Sequence, residues 1–332
     1  MMGLPPGKLP PEKLEELVFK RLEKSDPRVI TGPGQGIDAA AIDFGEKIVV
    51  ASTDPITGAV EDIGFYAVHV NANDVATFGA RPRWFLVTIL LPENGDEALL
   101  SGLMGDIVET ARNIGVSVVG GHTEVTPGLN RPIVIGTMLG EVEKEKLVRS
   151  DGARPGDAIV MTKWAGLEGT SIIAREKREE LASAFGGDFV ERASSLIDYI
   201  SIVPEATVLR DYANAMHDPT EGGIANGIYE MADAAGLGFR VFPNRVPIRD
   251  ETLKVCEFYS LNPLALISSG SLLAAVPRDH AKFVVERLLS KGINAAVIGE
   301  FLAEKKRVAI VDGEERPFPR PKTDELWKVF GE

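Results

Sequence analysis

The sequence predicts a two-domain α/β (α+β) protein, and three observations support that class. The chain has 332 residues, a length that suits about two domains, each able to bury its own core. Compact apolar runs of strand type alternate with segments of helical periodicity in both halves. Between the halves lies EVEKEKLVRSDGARPGD (141–157), a crossing rich in charged residues. It predicts a boundary near residue 148, with domains 1–148 and 149–332.

The elements follow in order. Residues 1–11 are proline-rich and are expected to lie loose or wrapped on the surface. Leu14, Leu17, Val18, Arg21 and Leu22 mark an amphipathic first helix that closes near Asp26-Pro27. TGPGQGIDAAAID (31–43) reads as a glycine-rich loop leading into a short strand. Ile48–Ser52 is a strand that ends in Thr53-Asp54-Pro55, where the proline biases Asp54 to extended backbone. Ile63, Ala67, Val70, Val75 and Phe78 recur at roughly helical spacing and predict a buried helix. Then come a strand (Trp84–Leu91), a helix (97–114), a strand (Val116–Gly120), a loop GGHTEVTPG (120–128) and a strand (Ile133–Glu141).

The second half repeats the alternation. Ala158–Thr162 is a strand, helices occupy much of 166–215, and HDPTEGG (217–223) opens a helix over Ile224–Ala235. Phe239–Phe242, Leu272–Val276, Ala295–Phe301 and Arg307–Val311 read as strands, with helices near 251–259 and 279–291. The pattern leaves strand order open and contains no short-period repeat.

Composition narrows the function. The formal net charge is −13, from 49 acidic and 36 basic residues, which argues against nucleic acid and anionic membranes as partners. No stretch approaches the roughly 18 apolar residues of a membrane span, and MMGLPPGKLPPEK lacks an apolar signal core. A cytoplasmic location is therefore expected. The single cysteine, Cys256, excludes an intrachain disulfide and a cysteine metal cluster. Its setting, LKVCEF, is that of a structural thiol.

The stretch VNANDVATFGA (70–80) is the most informative. It places Asn71, Asn73 and Asp74 in the predicted buried helix, with Asn71 and Asp74 on one face. Buried amides and carboxylates cost several kcal/mol, roughly, unless they are paired or bind a cation. A satisfied core network and a cation site both fit. Asp38 in GIDAAA, Asp54 in STDP, Asp74 and the GGHTEV segment together suit a Mg²⁺–polyphosphate site, because Mg²⁺ bridges a few carboxylates to phosphate oxygens. Taken alone, Asp38 is equally suited to capping the segment that follows it. Gly32, Gly34 and Gly36 would let backbone N–H groups approach phosphates. No P-loop ending GK[ST] occurs, and no GxGxxG follows a strand in a βαβ unit.

Two further clusters could carry chemistry. In GGHTEVT, His122 suits a general acid/base or phosphate contact and Glu124 a metal ligand. In HDPTEGG, His217, Asp218, Thr220 and Glu221 stand at a helix start whose free N–H groups favour an anion. Asp218 or Thr220 could equally cap that helix. His69 and His280 have no such company and read as structural.

GIDAAA, STDP, NANDVATFGA, the GG-x-T-E segment, DPTEGG and SGSLLAAVP occur in the order seen in the aminoimidazole ribonucleotide synthetase (PurM-like) superfamily. That superfamily also holds thiamine-monophosphate kinase, selenophosphate synthetase and the hydrogenase-maturation HypE proteins. The chain resembles them from about residue 30 to 312. The resemblance is greatest to the HypE group, which carries a similar NDVA-x-x-GA helix and DPT-x-GG turn. It implies a two-domain PurM-like fold whose N-terminal sheet pairs with that of a second copy, giving a homodimer. It also implies ATP and Mg²⁺ in a cleft near that interface. Family enzymes phosphorylate an amide, formyl or similar oxygen and so turn it into a leaving group.

By resemblance, Asp38, Asp54 and Asp74 would bind Mg²⁺ and phosphate, Asn73 would position the phosphates, and Asp218 and Thr220 would lie nearer the acceptor as catalytic residues. The residues' own chemistry adds Glu124 as a metal ligand, Gly34, Gly36, Gly120, Gly121 and Thr123 as nucleotide contacts, and His122 as a catalytic acid/base. Departures bear on the chemistry. HypE proteins act on a cysteine of their own tail, whereas the sequence here closes LWKVFGE, so such self-modification is not expected. TGPGQG has no cysteine or selenocysteine of the selenophosphate synthetase kind. Glu221 stands where HypE proteins commonly have arginine, and His122 where many relatives have an acid. The reading is an ATP- and Mg²⁺-dependent enzyme that activates an amide- or carbonyl-like oxygen of a small molecule or partner-protein group. Its rivals are a kinase of the thiamine-monophosphate type, needing a basic pocket from residues such as Arg81, Arg83 and Arg131, and a nucleotide-binding scaffold without turnover.

Overall fold

The computed structural model describes residue 9 and residues 11–22, 26–57 and 62–331; the expectation for residues 1–11 lies almost wholly outside them. The first half runs α1 (Pro11–Leu17), a 3₁₀ turn, β1 (Val29–Thr31), β2 (Ala40–Asp43), β3 (Lys47–Ile56), α2 (Ile63–Thr77), β4 (Arg81–Leu91), α3 (Glu97–Asn113), β5 (Ser117–Val125) and β6 (Ile133–Glu143). The strands form one sheet in the order β1-β2-β3-β6-β4-β5. It is antiparallel except where β4 and β5 run parallel. Alternation sends Ile48 and Val50 of β3, and Phe85, Val87, Ile89 and Leu91 of β4, to a face covered by α2 and α3. The opposite face is left open: Trp84 and Leu86 of β4 are 39% and 36% exposed.

Helix α2 is buried on nearly every side, as a helix without a polar face must be. Small residues let it in. A Cβ on Gly136 of β6 would lie 2.4 Å from Asn71 Nδ2, and one on Gly140 would lie 2.4 Å from Val75 Cγ1. Gly64 permits the same closeness to α3, where a Cβ would meet Leu103 O at 2.9 Å.

Two local expectations are corrected. Pro55 does not end β3, which continues to Ile56. Strand β2 pairs with β3 only through Ala51, whereas β6 pairs with it along its whole length to Ile56. Nor is GGHTEV a loop; it is the body of β5, paired with β4 from Trp84↔Ser117 to Leu91↔Val125. Gly121 has φ +152°, and a Cβ there would lie 1.8 Å from Val87 O. The glycine pair, which reads as turn chemistry in the sequence, lets an irregular strand lie close against its neighbour.

The second half comprises β7 (Ala158–Thr162), α4 (Leu167–Glu176), α5 (Arg178–Phe185), α6 (Gly187–Ser194), α7 (Val203–Leu209), β8 (Ala215–His217), α8 (Gly223–Ala235), β9 (Gly238–Val241), α9 (Asp250–Tyr259), β10 (Leu273–Val276), α10 (Arg278–Leu289), β11 (Ala295–Leu302), β12 (Arg307–Val311), β13 (Glu314–Pro317) and α11 (Trp327–Phe330). Its sheet has the order β13-β12-β9-β11-β7-β10-β8. All pairs are antiparallel except β9 with β12. The sequence pattern lacks β8 and β13, because one has three residues and the other is the exposed segment EERP. No helix among the described residues is long and apolar enough to cross a membrane.

The two halves are bonded to each other. Asn73 Nδ2 donates to Ile200 O at 2.9 Å, and its Oδ1 accepts from Ile202 N at 3.0 Å. Gly36, at φ +68°, lies against α8, where a Cβ would meet Glu230 O at 2.9 Å. Tyr66 of α2 packs with Ile197 and Ile200.

Candidate functional site

Helix α2 and strand β3 bring two of the predicted carboxylates together. Asp54 is fixed through its backbone, its N–H donating to Asn71 Oδ1 at 2.9 Å. Asn71 Nδ2 in turn donates to Ala67 O at 2.8 Å. Asp74 is buried and accepts from Ser52 Oγ at 2.6 Å. Burial, the charge of Asp54 and a hydrogen bond shared with the Asp54 carboxyl hold the Asp74 pKa well above the ordinary carboxylate value, and Asp38 adds to the effect. A cation between the two carboxyls would relieve the repulsion that raises the Asp74 pKa.

From Asp38 the chain of ionisable groups crosses into the second half. His217 Nδ1 lies 2.9 Å from Asp38 Oδ1, and its Nε2 lies 3.0 Å from Glu230 Oε2. Burial opposes a charge on this imidazole, but the two carboxylates prevail and push its pKa up to about 10. Asp38 is thus engaged by a buried imidazolium. Next to it, Asp218 is 2% exposed. Burial and the Asp38 charge raise its pKa to about 7, against the pull of Asn73, His217 and Lys163. A carboxyl poised near neutrality can hold or accept a proton at working pH.

Three further groups at the site carry no mark in the sequence motifs. Lys163, at the end of β7, has φ 52°. Its Nζ lies 2.7 Å from Glu205 Oε1 and donates to Tyr199 O at 2.8 Å and Ser201 O at 2.6 Å. Glu168, in the first turn of α4, is buried and its pKa rises to about 8; desolvation is the main cause, opposed by a hydrogen bond with Ser269. Asp324 accepts from Gly222 N at 2.6 Å and Leu326 N at 2.8 Å, and burial raises its pKa to about 6. A lysine and glutamate beside apolar residues in KWAGLEG have no motif to mark them; only a strand-end lysine before a helix start gives a faint signal.

The other predicted residues lie elsewhere. His122, Thr123 and Glu124 are exposed on β5, separated from β3 by β6 and β4, about 14 Å at the usual strand spacing. His122 Nε2 pairs with Glu124 Oε2 at 3.0 Å, and Thr126 Oγ1 donates to Glu124 Oε1 at 2.9 Å. Within one chain these residues do not join the aspartates. Asn73 spends both ends of its amide on the 200–202 backbone. Thr220 O closes a turn onto Gly223 N at 2.9 Å. Arg83 is paired with Glu141 at 3.2 Å rather than lining a basic pocket. His69 and Cys256 are buried, and desolvation pushes the Cys256 thiol up to about 12.

Among the described residues, no three histidine, cysteine, aspartate or glutamate side chains form a group able to hold a metal ion. Asp54 and Asp74 nonetheless suit Mg²⁺, which keeps waters and takes phosphate oxygens instead of a closed protein cage.

Comparison with known proteins gives the family of the chain. The family model for the N-terminal domain of AIR synthase related proteins matches residues 36–142, and that for the C-terminal domain matches 154–312. A Methanocaldococcus jannaschii protein named as a putative hydrogenase expression/formation protein is 30% identical over 92% of this chain and 91% of its own length. The carbamoyl dehydratase HypE of Azotobacter vinelandii is 31% identical over 81% of this chain and 80% of its own. A structure of HypE in complex with ATP superposes with a TM-score of 0.70 at 26% identity, covering 96% of both chains. A chain of the HypE–HypF complex superposes with a TM-score of 0.76 at 23% identity, over 93% of this chain and 99% of that one.

The buried Glu168 makes a pH prediction. Its folded-state pKa of about 8 exceeds the ordinary 4.5, so the folded protein binds the extra proton. Stability from this group is full below about pH 4.5 and is lost as pH rises to about 8. A tenfold difference in proton affinity between the folded and unfolded chain is worth about 1.4 kcal/mol. Glu168→Gln is expected to flatten the fall in unfolding free energy between about pH 5 and 8 and to be more stable than the parent at about pH 9, measured by urea denaturation. An unchanged slope would contradict the assignment.

Proposed function

Because the chain belongs to the AIR synthase related family, we propose that it is an ATP- and Mg²⁺-dependent enzyme that activates an amide- or carbonyl-like oxygen by phosphorylation. The observation that carries this reading is the Asp54–Asp74 carboxyl pair, held by Ser52 and Asn71 in a fold that HypE displays with ATP bound. Asp54 and Asp74 would hold Mg²⁺, with Asp38 nearby. Mg²⁺ held there would supply neutralisation of the charge that develops on the transferred phosphoryl group.

The chain's own residues do the rest. His217 holds Asp38 in place from the second half. Asn71 fixes the Asp54 backbone, and so the direction of its carboxylate. Asp218, with a pKa of about 7, would take a proton from the acceptor as its oxygen becomes phosphorylated. The phosphoryl group moves from the nucleotide to that oxygen, and phosphate then leaves with it. Cys256 is not the acceptor, since its thiol is buried and held protonated.

The reading includes a homodimer. The open sheet face presents Ala51, Leu139 and Trp84 in one register row and Thr53, Thr137 and Leu86 in the next. Beyond it lies exposed β5, with Val119 53% and Val125 55% exposed. An uncovered apolar sheet face and a bare edge strand suit pairing with a second copy. That pairing would also give His122, Thr123 and Glu124 a place at the interface.

Two experiments test this function. ATP with Mg²⁺ is expected to raise the thermal midpoint, since a ligand at 100 times its dissociation constant adds roughly 2.7 kcal/mol; Asp74→Asn should lose the rise and remain folded. Absence of any rise in the parent protein would contradict this reading and the nucleotide-binding scaffold alike, leaving a fold kept without its nucleotide. Leu86→Lys, in the middle of the open face, should convert a dimer to a monomer in analytical ultracentrifugation. A parent that sediments as a monomer would sink the dimer.

A further inference from the structure

Around Asp218 the second half buries several acids whose neighbouring cations are engaged by other groups. Asp218 and Glu168 are 2% and 6% exposed. Neither oxygen of Asp218 has a well-formed hydrogen bond, nor does Glu168 Oε2; Asn73 is the side-chain donor beside Asp218, and Ser269 the one beside Glu168. Glu168 feels the charges of Asp218, Glu221 and Asp324. The nearby cations are committed. The three N–H groups of Lys163 face Glu205 Oε1, Tyr199 O and Ser201 O. Both nitrogens of His217 are taken by Asp38 and Glu230.

A buried acceptor without a well-formed hydrogen bond costs about 1–3 kcal/mol, so three such oxygens on two neighbouring side chains call for a ligand with donors. A closed metal site does not answer, because among the described residues no three carboxylate, histidine or cysteine side chains form one. A nitrogen cation does answer: it brings several N–H donors on one centre and the sign of charge that the cluster lacks. We propose that the acceptor bears an ammonium, amidinium or guanidinium group, and that Asp218 and Glu168 receive it. This names the class of acceptor and rests on the ATP-dependent reading for the site's role.

The test is a ligand-observed NMR titration of the full chain with propylammonium and acetamidinium, against propanol and propionate as neutral and anionic counterparts. The cations are expected to bind at least ten-fold more tightly than either counterpart. Glu168→Gln and Asp218→Asn should each weaken cation binding five-fold or more, with the unliganded thermal midpoint of each variant reporting folding. Equal binding of amine and alcohol, no binding of the amines, or unchanged amine affinity in a folded Glu168→Gln would overturn the proposal. So would Mg²⁺ alone displacing the amine with full effect. The nucleotide-dependent thermal rise is recorded on the same samples. A rise without amine binding defeats this inference alone, and amine binding without a rise defeats the nucleotide reading alone.

Discussion

Everything in this molecule depends on burying three polar side chains in one helix. Asn71 and Asn73 lie fully buried in α2 and Asp74 is 8% exposed, so each needs a partner in the protein or its ligand. They find partners in three directions. Asn71 turns to β3 and fixes Asp54, Asp74 turns to Ser52 and Asp54, and Asn73 reaches the backbone at 200–202 in the second half. One helix therefore sets the carboxyl pair and the seat of the second half on the first. The glycines at 64, 136 and 140 serve the same end by letting α3 and β6 approach it.

Much of the fold is legible in the sequence because it rests on periodicity. Strand Arg307–Val311 and the helices over 97–113 and 223–235 coincide closely with their apolar patterns. What escapes has physical causes. Strand β8 is too short to alternate and β13 has no inward residue. The glycines of GGHTEV signal a turn by local chemistry, while their use is close contact with Val87. Strand order is set by long-range pairing, which leaves no local trace in the chain.

The candidate site divides the same way. Asp38, Asp54 and Asp74 stand in recognisable motifs and prove to share one electrostatic neighbourhood. Lys163 and Glu168 have no motif, and what makes them notable is burial, which only the folded chain reveals. Asn73, which the sequence marks as a nucleotide contact, bonds the backbone at 200–202 and also bears on Asp218. The result is a line of ionisable groups from Asp54 through Asp74 and Asp38 to His217 and Asp218. It crosses the boundary between the halves, so phosphate chemistry on one side and the acceptor on the other would meet across it.

On this view Asp54 and Asp74 form the metal-bearing end of that line. The decisive measurement is a crystal structure grown with Mn²⁺ and a non-hydrolysable ATP analogue, with the metal located by anomalous scattering. A manganese peak is expected in contact with the Asp54 and Asp74 carboxylates and with phosphate oxygens. A peak elsewhere, such as beside Asp218 and Glu168, or nucleotide bound with no metal near Asp74, would show that the carboxyl pair is not the metal site.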